Sequence, residues 1–315
     1  MEYRTLGRTG LRVSALAFGA GPVSGLMTGD DHAAQAATVR RAVERGINWI
    51  DTAAGYGNGK SEENLGRVLS EFDTGDDLYV ATKVRLGPDD FGDMRAAVRR
   101  SVEASLARLR APSVTLLQLH NGLTPRRDDE PFSITPRDLL GPGGVLEAFR
   151  ELRAAGLVRL LGLTGTGQPQ ALRAVVRTGE FDTIQVPYNR LNPSAGRDMR
   201  DDFGETNYGN IIADGSVMEM GAFAIRVFAG GALLDQPPSA HTLKTPFFPL
   251  ALYERDRQRA RELTGDGPRT EGAMRFVLDD PRIHAALIGF GTPEHVDELC
   301  DLVERKTPGP GPAVR

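Results

Sequence analysis

Eight short runs rich in branched and large apolar residues recur along this 315-residue chain, each followed by an amphipathic stretch. The runs are LAF near residue 16, INWIDTA at 47 to 53, LYVATKV at 78 to 84, and VTLLQLH at 114 to 120. RLLGLT at 159 to 164, TIQVPY at 183 to 188, AFAIRVF at 222 to 228 and AALIGF at 285 to 290 complete them. Runs that stay apolar instead of alternating fit strands of a parallel sheet that is covered by helices. Eight strand–helix units close most economically as a (β/α)₈ barrel, with an open doubly wound sheet as the structural alternative.

Helices are expected at 32 to 45, 62 to 71, 90 to 110, 144 to 155, 168 to 178, 211 to 220, 255 to 263 with a further stretch to 277, and 293 to 303. Ser61 reads as the N-cap of the second, and Thr292 followed by Pro293 as the cap and first turn of the last. The opening YRTLGRTGLRVSAL reads as a β-hairpin turning at GRTG, with Leu6, Leu11 and Val13 able to cap an apolar surface. Residues 1–305 are therefore expected to form one domain, and 306–315, KTPGPGPAVR, a flexible tail. Two long connections, 121–143 and 231–254, interrupt the rhythm. In a barrel they fall on the catalytic face, where they would serve as lids; the second carries Phe247 and Phe248.

Composition narrows the function. A formal net charge of -4 offers no broad basic footprint for nucleic acid, and no apolar run is long enough to cross a bilayer. The start MEYRTLGRTG lacks a signal-peptide core, so the expected location is the cytoplasm. The lone Cys300 forms no intrachain disulfide and no multi-cysteine metal site; it reads as a helix-packing residue. Only four of the 38 basic residues are lysine: Lys60, Lys83, Lys244 and Lys306. In a chain that so habitually uses arginine, Lys83 inside an apolar run points to a compact, titratable ammonium.

Asp51, Lys83 and His120 stand at or near the ends of the second, third and fourth runs, so a parallel barrel brings them to one rim. Trp49, two residues before Asp51, shares its strand face and should pack inside the barrel. Tyr56 lies in the glycine-flanked AAGYGNG loop, which allows the phenol to fold back over the mouth. A free phenol ionises near pH ~10, too high for easy proton donation near neutrality. An ammonium about 4 Å from a phenol, at an effective dielectric of about 20, favours phenolate by roughly 4 kcal/mol before desolvation. With Asp51 keeping Lys83 charged, Tyr56 becomes a usable general acid or base, and His120 a hydrogen-bond partner for a carbonyl oxygen. This chemistry needs no metal. A lysine acting as a Schiff-base nucleophile is the other use of Lys83, against which the adjacent Asp51 argues.

The motifs DTAAGYGNGKSEENLG, ATKV, LQLHN and QVPYN, with flanking segments from FGAGP to GFGTPEHVDEL, resemble the aldo-keto reductases over nearly the whole chain. That resemblance implies a (β/α)₈ barrel binding NADPH, with NADH possible, and moving hydride between the nicotinamide and a carbonyl or alcohol, including sugar-like substrates. It also implies Tyr56 as acid/base with Asp51, Lys83 and His120 as partners. Tyr188 resembles the aromatic that stacks on the nicotinamide, and Gln185 and Thr164 resemble its polar ligands, while the asparagine that often follows is here Gly165. Gly19 and Ala20 resemble the small residues beside the cofactor on the first strand. Arg226, Phe228, Gly230, Gly289, Phe290, Gly291 and Thr292 match the pyrophosphate and adenosine positions, with Glu298 a ribose or adenine contact. GFGTPEHVDEL holds no Lys or Arg, so the cation a 2′-phosphate needs is missing there. The family also includes nicotinamide-binding regulatory subunits attached to membrane channels, the alternative to an enzyme.

Overall fold

A computed structural model describes residues 1–75, 77–245, 250–264 and 269–305. The tail 306–315, and Phe247 and Phe248 of the second long connection, lie outside the described residues. A hairpin, β1 (Tyr3–Thr5) and β2 (Arg12–Ser14), precedes eight parallel strands. These are β3 (Leu16–Gly19), β4 (Trp49–Asp51), β5 (Tyr79–Val84), β6 (Val114–Leu119), β7 (Val158–Thr164), β8 (Thr183–Pro187), β9 (Gly221–Ile225) and β10 (Ala285–Ile288). They close in chain order, with β10 pairing back onto β3, so the barrel wins over the open sheet.

Around it run α1 (His32–Glu44), α2 (Lys60–Leu69), α3 (Met94–Leu109), α4 (Pro136–Leu140), α5 (Val145–Ala154), α6 (Pro169–Val176), α7 (Ile211–Val217), α8 (Leu250–Thr264), α9 (Arg269–Leu278) and α10 (Pro293–Glu304). Their apolar faces and the outward strand residues form the outer core. Cys300 is part of it, its thiol pushed up to about 11 by burial.

Three helix starts differ from expectation, α8 beginning at Leu250 and not at 255, and the short α4 lies inside what read as a connection. The third helix begins at Met94 because Asp93 caps it, accepting from Ala96 N, while Pro88–Asp90 forms a separate 3₁₀ turn. Ser61 does not cap α2; Gly59 stands there in left-handed conformation, at φ 92°. Ser61 lies in the first turn with its hydroxyl buried, paired with Thr52 Oγ1 at 2.8 Å and donating to Ala20 O at 2.8 Å. It ties helix, β4 and β3 together directly behind the rim. Thr292 does cap α10, its hydroxyl accepting from His295 N.

The lumen is filled from below. Trp49, Ala81, Leu116, Leu160, Phe223 and Ala285 point inward and are closed off by Leu6, Leu11 and Val13 of the hairpin. Trp49 packs at 4.7 Å from the Phe223 ring. Leu6 occupies space beside Gly221, where a β-carbon would come within 2.4 Å of its Cδ1. Two arginines fasten the hairpin: Arg4 donates to Leu278 O and Ile283 O, and Arg8 to Gly179 O, Phe181 O and Met218 O. The N-terminal mouth is thus a packed floor, and the opposite mouth is left for chemistry. Truncating fully buried Leu6 to alanine should cost about 2–5 kcal/mol in urea unfolding; a loss below about 1 kcal/mol would contradict the plug role.

Candidate functional site

Strand parity carries polar residues to the C-terminal mouth. Above Trp49 comes Asp51, above Ala81 comes Lys83, and above Leu116 come Gln118 and then His120. Lys83 and Asp51, each 1% exposed, form an ion pair through Lys83 Nζ and Asp51 Oδ1. The ammonium also donates to Thr52 O at 2.9 Å and to Tyr56 Oη at 3.1 Å. Burial alone would depress the lysine, but the Asp51 carboxylate and the Tyr56 oxygen more than offset that and hold it above its ordinary value.

Asp51 is held from its other oxygen by two amides, Gln118 Nε2 at 2.9 Å and Gln185 Nε2 at 2.5 Å. The carboxylate thus receives one ammonium and two amide donors. Gln118 fits because β7 presents Gly162 beside it; a β-carbon there would come within 3.0 Å of Gln118 Cγ. Nothing but its parity with His120 in LQLH marks Gln118 in the sequence.

Tyr56 is swung over the mouth by the turn after β4. Its N–H donates to Ala53 O, and Gly57, Asn58 and Gly59 all take left-handed conformations. The ring meets His120 edge-on at 5.6 Å and 84°. Burial, the Lys83 ammonium and the Arg85 guanidinium push the His120 imidazole well below its ordinary range, so it is neutral near pH 7. Its Nδ1 is buried without a hydrogen-bond partner among the described residues.

These four residues line one end of a cavity of about 960 Å³. Gly19, Thr164, Gln185, Arg226, Phe228, Gly230, Gly289, Phe290, Gly291 and Glu298 also line it. Glycines form part of its wall: a β-carbon at Gly289 would stand 3.8 Å from Gly19 O and Ser24, and one at Gly21 3.6 Å from the Tyr56 ring. Such a bare backbone cradle, bordered by Arg226, Arg269 and His241, fits a dinucleotide whose pyrophosphate needs close approach and positive charge. Arg226 is held in left-handed backbone at φ 57°, its carbonyl accepting from Asn189 Nδ2, and burial lowers its guanidinium to about 10.

Three residues expected at the cofactor are placed elsewhere. Tyr188 does not line the cavity: its phenol donates to Asp280 Oδ2 at 3.2 Å and its ring packs on Phe276 at 5.0 Å. The reason is parity, since Gln185 and Pro187 face the lumen and a residue three beyond Gln185 faces away. Ala20 is buried behind the rim, donating to Asp51 O, and the Thr292 hydroxyl is used by the α10 cap. Gly165 has its own cause: a β-carbon would meet Val186 Cγ1 at 2.8 Å, so β8 packs too close for a side chain. Thr164 donates to Leu119 O.

The sequence reading placed the loop beyond Asn121, with Glu130 and Phe132, at the pocket but missed four other wall residues: Arg85 just after β5, Tyr208, Ile225 at the end of β9 and Arg269 at the start of α9. Both long connections contribute, the first through 130–132 and the second through Gly231, Gln236 and His241 among others. Ile225 has the lumen parity that Tyr188 lacks.

Residues 15–308 match the model of the Aldo/keto reductase family. L-galactose dehydrogenase of Arabidopsis thaliana is 34% identical, over 95% of this chain and 86% of its own length. A putative voltage-gated potassium channel subunit beta of Schizosaccharomyces pombe is 36% identical, over 96% and 88%. The holo form of aldo-keto reductase AKR11C1 from Bacillus halodurans superimposes with a TM-score of 0.70 at 22% identity, covering 97% of this chain and 92% of that one. No helix among the described residues is long and apolar enough to cross a membrane. With its closed barrel, its mouth cluster and a family match over nearly its whole length, the chain belongs to the aldo/keto reductase family, NAD(P)-dependent oxidoreductases of carbonyls and alcohols.

Proposed function

We propose that this chain is an alcohol or sugar dehydrogenase in which Tyr56 is the general acid/base, supported by Lys83, Asp51 and His120. The observation that carries the proposal is the 3.1 Å contact of Tyr56 Oη with a buried ammonium at the end of the glycine-lined cavity. When bound, the nicotinamide dinucleotide supplies or accepts the hydride. In reduction, Tyr56 hands its proton to the carbonyl oxygen, and the charge left on the phenol oxygen falls on a Lys83 N–H already aimed at it. Asp51, fixed by Gln118 and Gln185, keeps that ammonium charged in a site closed from below. Neutral His120 shares a hydrogen bond with the same carbonyl oxygen without competing as a cation. Oxidation runs the same transfers backwards, with Tyr56 as base.

The cofactor would lie along Gly19, Thr164, Gln185, Arg226, Phe228, Gly230, Gly289, Phe290, Gly291 and Glu298. Ile225, not Tyr188, takes the apolar position at the lumen end of β9. Arg269 brings the guanidinium absent from GFGTPEHVDEL to the same cavity, which supports NADPH beside NADH. The regulatory alternative has the name of the fission-yeast relative behind it; the assembled proton-transfer set supports turnover.

Tyr56→Phe should lower kcat by roughly 10²–10⁴-fold, while NADPH affinity by fluorescence quenching changes by less than about threefold. Wild-type turnover in that variant would sink the assignment. The His120 imidazole should show no titration by NMR from pH 8 down to 6, since its charged form is disfavoured there; a midpoint near its ordinary value would contradict the neutral role.

A further inference from the structure

On the outer face of β5, behind the mouth, lies a buried charge that the proton-transfer set does not use. Glu62, in the first turn of α2, is fully buried. Its Oε1 accepts from the Thr82 hydroxyl at 2.5 Å, and its Oε2 from Arg108 Nε and Nη2, each at 2.7 Å. Thr82 directly precedes Lys83, and strand parity turns it outward to Glu62 just as it turns Lys83 inward to Tyr56. Arg108, in the last turn of α3, also reaches the turn that swings the phenol. Gly59 ends the left-handed run of Gly57, Asn58 and Gly59 and lies on the arginine stem, where a β-carbon would stand 2.8 Å from Arg108 Cδ. Ser61 N–H donates to Tyr56 O at 3.2 Å, so the residue before Glu62 holds the backbone of Tyr56 itself. One carboxylate thus joins the strand carrying Lys83, the helix start behind Tyr56 and the arginine under the Tyr56 turn.

Resting on the reading of Tyr56 as acid/base, we infer that Glu62 and Arg108 are positioning residues that set the reach of the Tyr56 phenol to the Lys83 ammonium. Neither lines the cavity, so they act through the two groups that do. Apolar side chains of the same volume would commonly hold α2 against the barrel as firmly as this pair does. They would not fix its direction. Three donors on two carboxylate oxygens specify where the helix start stands relative to β5, and with it how far Tyr56 Oη lies from Lys83 Nζ. Proton transfer depends steeply on that placement, since a shift of about 1 Å in a reacting group can cost about 10²-fold in rate.

The test uses the full chain, with NADPH and 4-nitrobenzaldehyde, glyceraldehyde and propanal as carbonyl probes. A double variant, Glu62→Leu with Arg108→Met, removes both charges together and leaves an apolar contact in their place. Its urea midpoint should stay near that of the wild type while kcat falls about 30- to 100-fold, with KM and the NADPH Kd by fluorescence quenching each within about threefold. Thr82→Val keeps the ion pair and its packing and removes only the bond to the strand; it should lower kcat about 3- to 10-fold with the same split, and keeps the inference testable should the double variant not fold. Arg108→Lys, which retains a cation without the paired donors, should turn over faster than Arg108→Met. Wild-type kcat in the folded double variant or in Thr82→Val, or a loss carried by KM or by NADPH affinity, would overturn the inference. Such a result beside an inactive Tyr56→Phe would remove this inference alone, whereas a wild type that binds NADPH and reduces none of the three probes would remove the reading of Tyr56 and this inference with it.

Discussion

The pair formed by Lys83 and Asp51 is the interaction on which the mouth of this barrel depends. Stability does not account for it. Burying an ion pair often costs as much as the pair returns, and an apolar pair of equal volume would commonly do as well. What only the ion pair supplies is a fixed ammonium with an N–H aimed at the Tyr56 oxygen. The surroundings are arranged to keep it so. Gln118 and Gln185 converge on the free carboxylate oxygen, Thr52 O takes another ammonium proton, and Gly162 leaves the room Gln118 needs.

Barrel closure turns this local arrangement into a site. The lumen side chains below the pair and the hairpin plug under them form a dry floor, so the cluster opens only toward the cavity. In such surroundings hydrogen bonds and charges act more strongly than in water, and a proton donor, its ammonium and a neutral imidazole can share one small volume. His120 belongs to that arrangement by being uncharged: its burial, with the cations of Lys83 and Arg85 nearby, disfavours the imidazolium. The cavity extends outward between bare glycine backbone on one side and Arg85, Glu130 and Phe132 on the other.

The eight strands were legible in the sequence because most of their residues are buried on both faces and apolar, and Asp51, Lys83 and His120 stood out as polar residues at or near the ends of such runs. The hairpin plug was legible from its turn and apolar residues. Tyr188 misled because motif likeness overrode strand parity, which places a residue three beyond Gln185 on the opposite face. Ser61 misled because a capping residue type was needed for a different bond, behind the rim on Ala20 O. Arg85, Tyr208 and Arg269 could not be found by local pattern, since the cavity wall joins segments far apart in the chain whose side-chain directions share no periodicity.

Chemical rescue of Lys83→Ala tests most directly whether a buried N–H-bearing cation at the phenol is what the site is built to provide. The variant should lose about 10³-fold in kcat, and ethylammonium should restore turnover in a saturable manner while tetramethylammonium, which has the charge but no N–H, should not. Near-normal turnover without any added amine, or equal rescue by the two cations, would contradict the account.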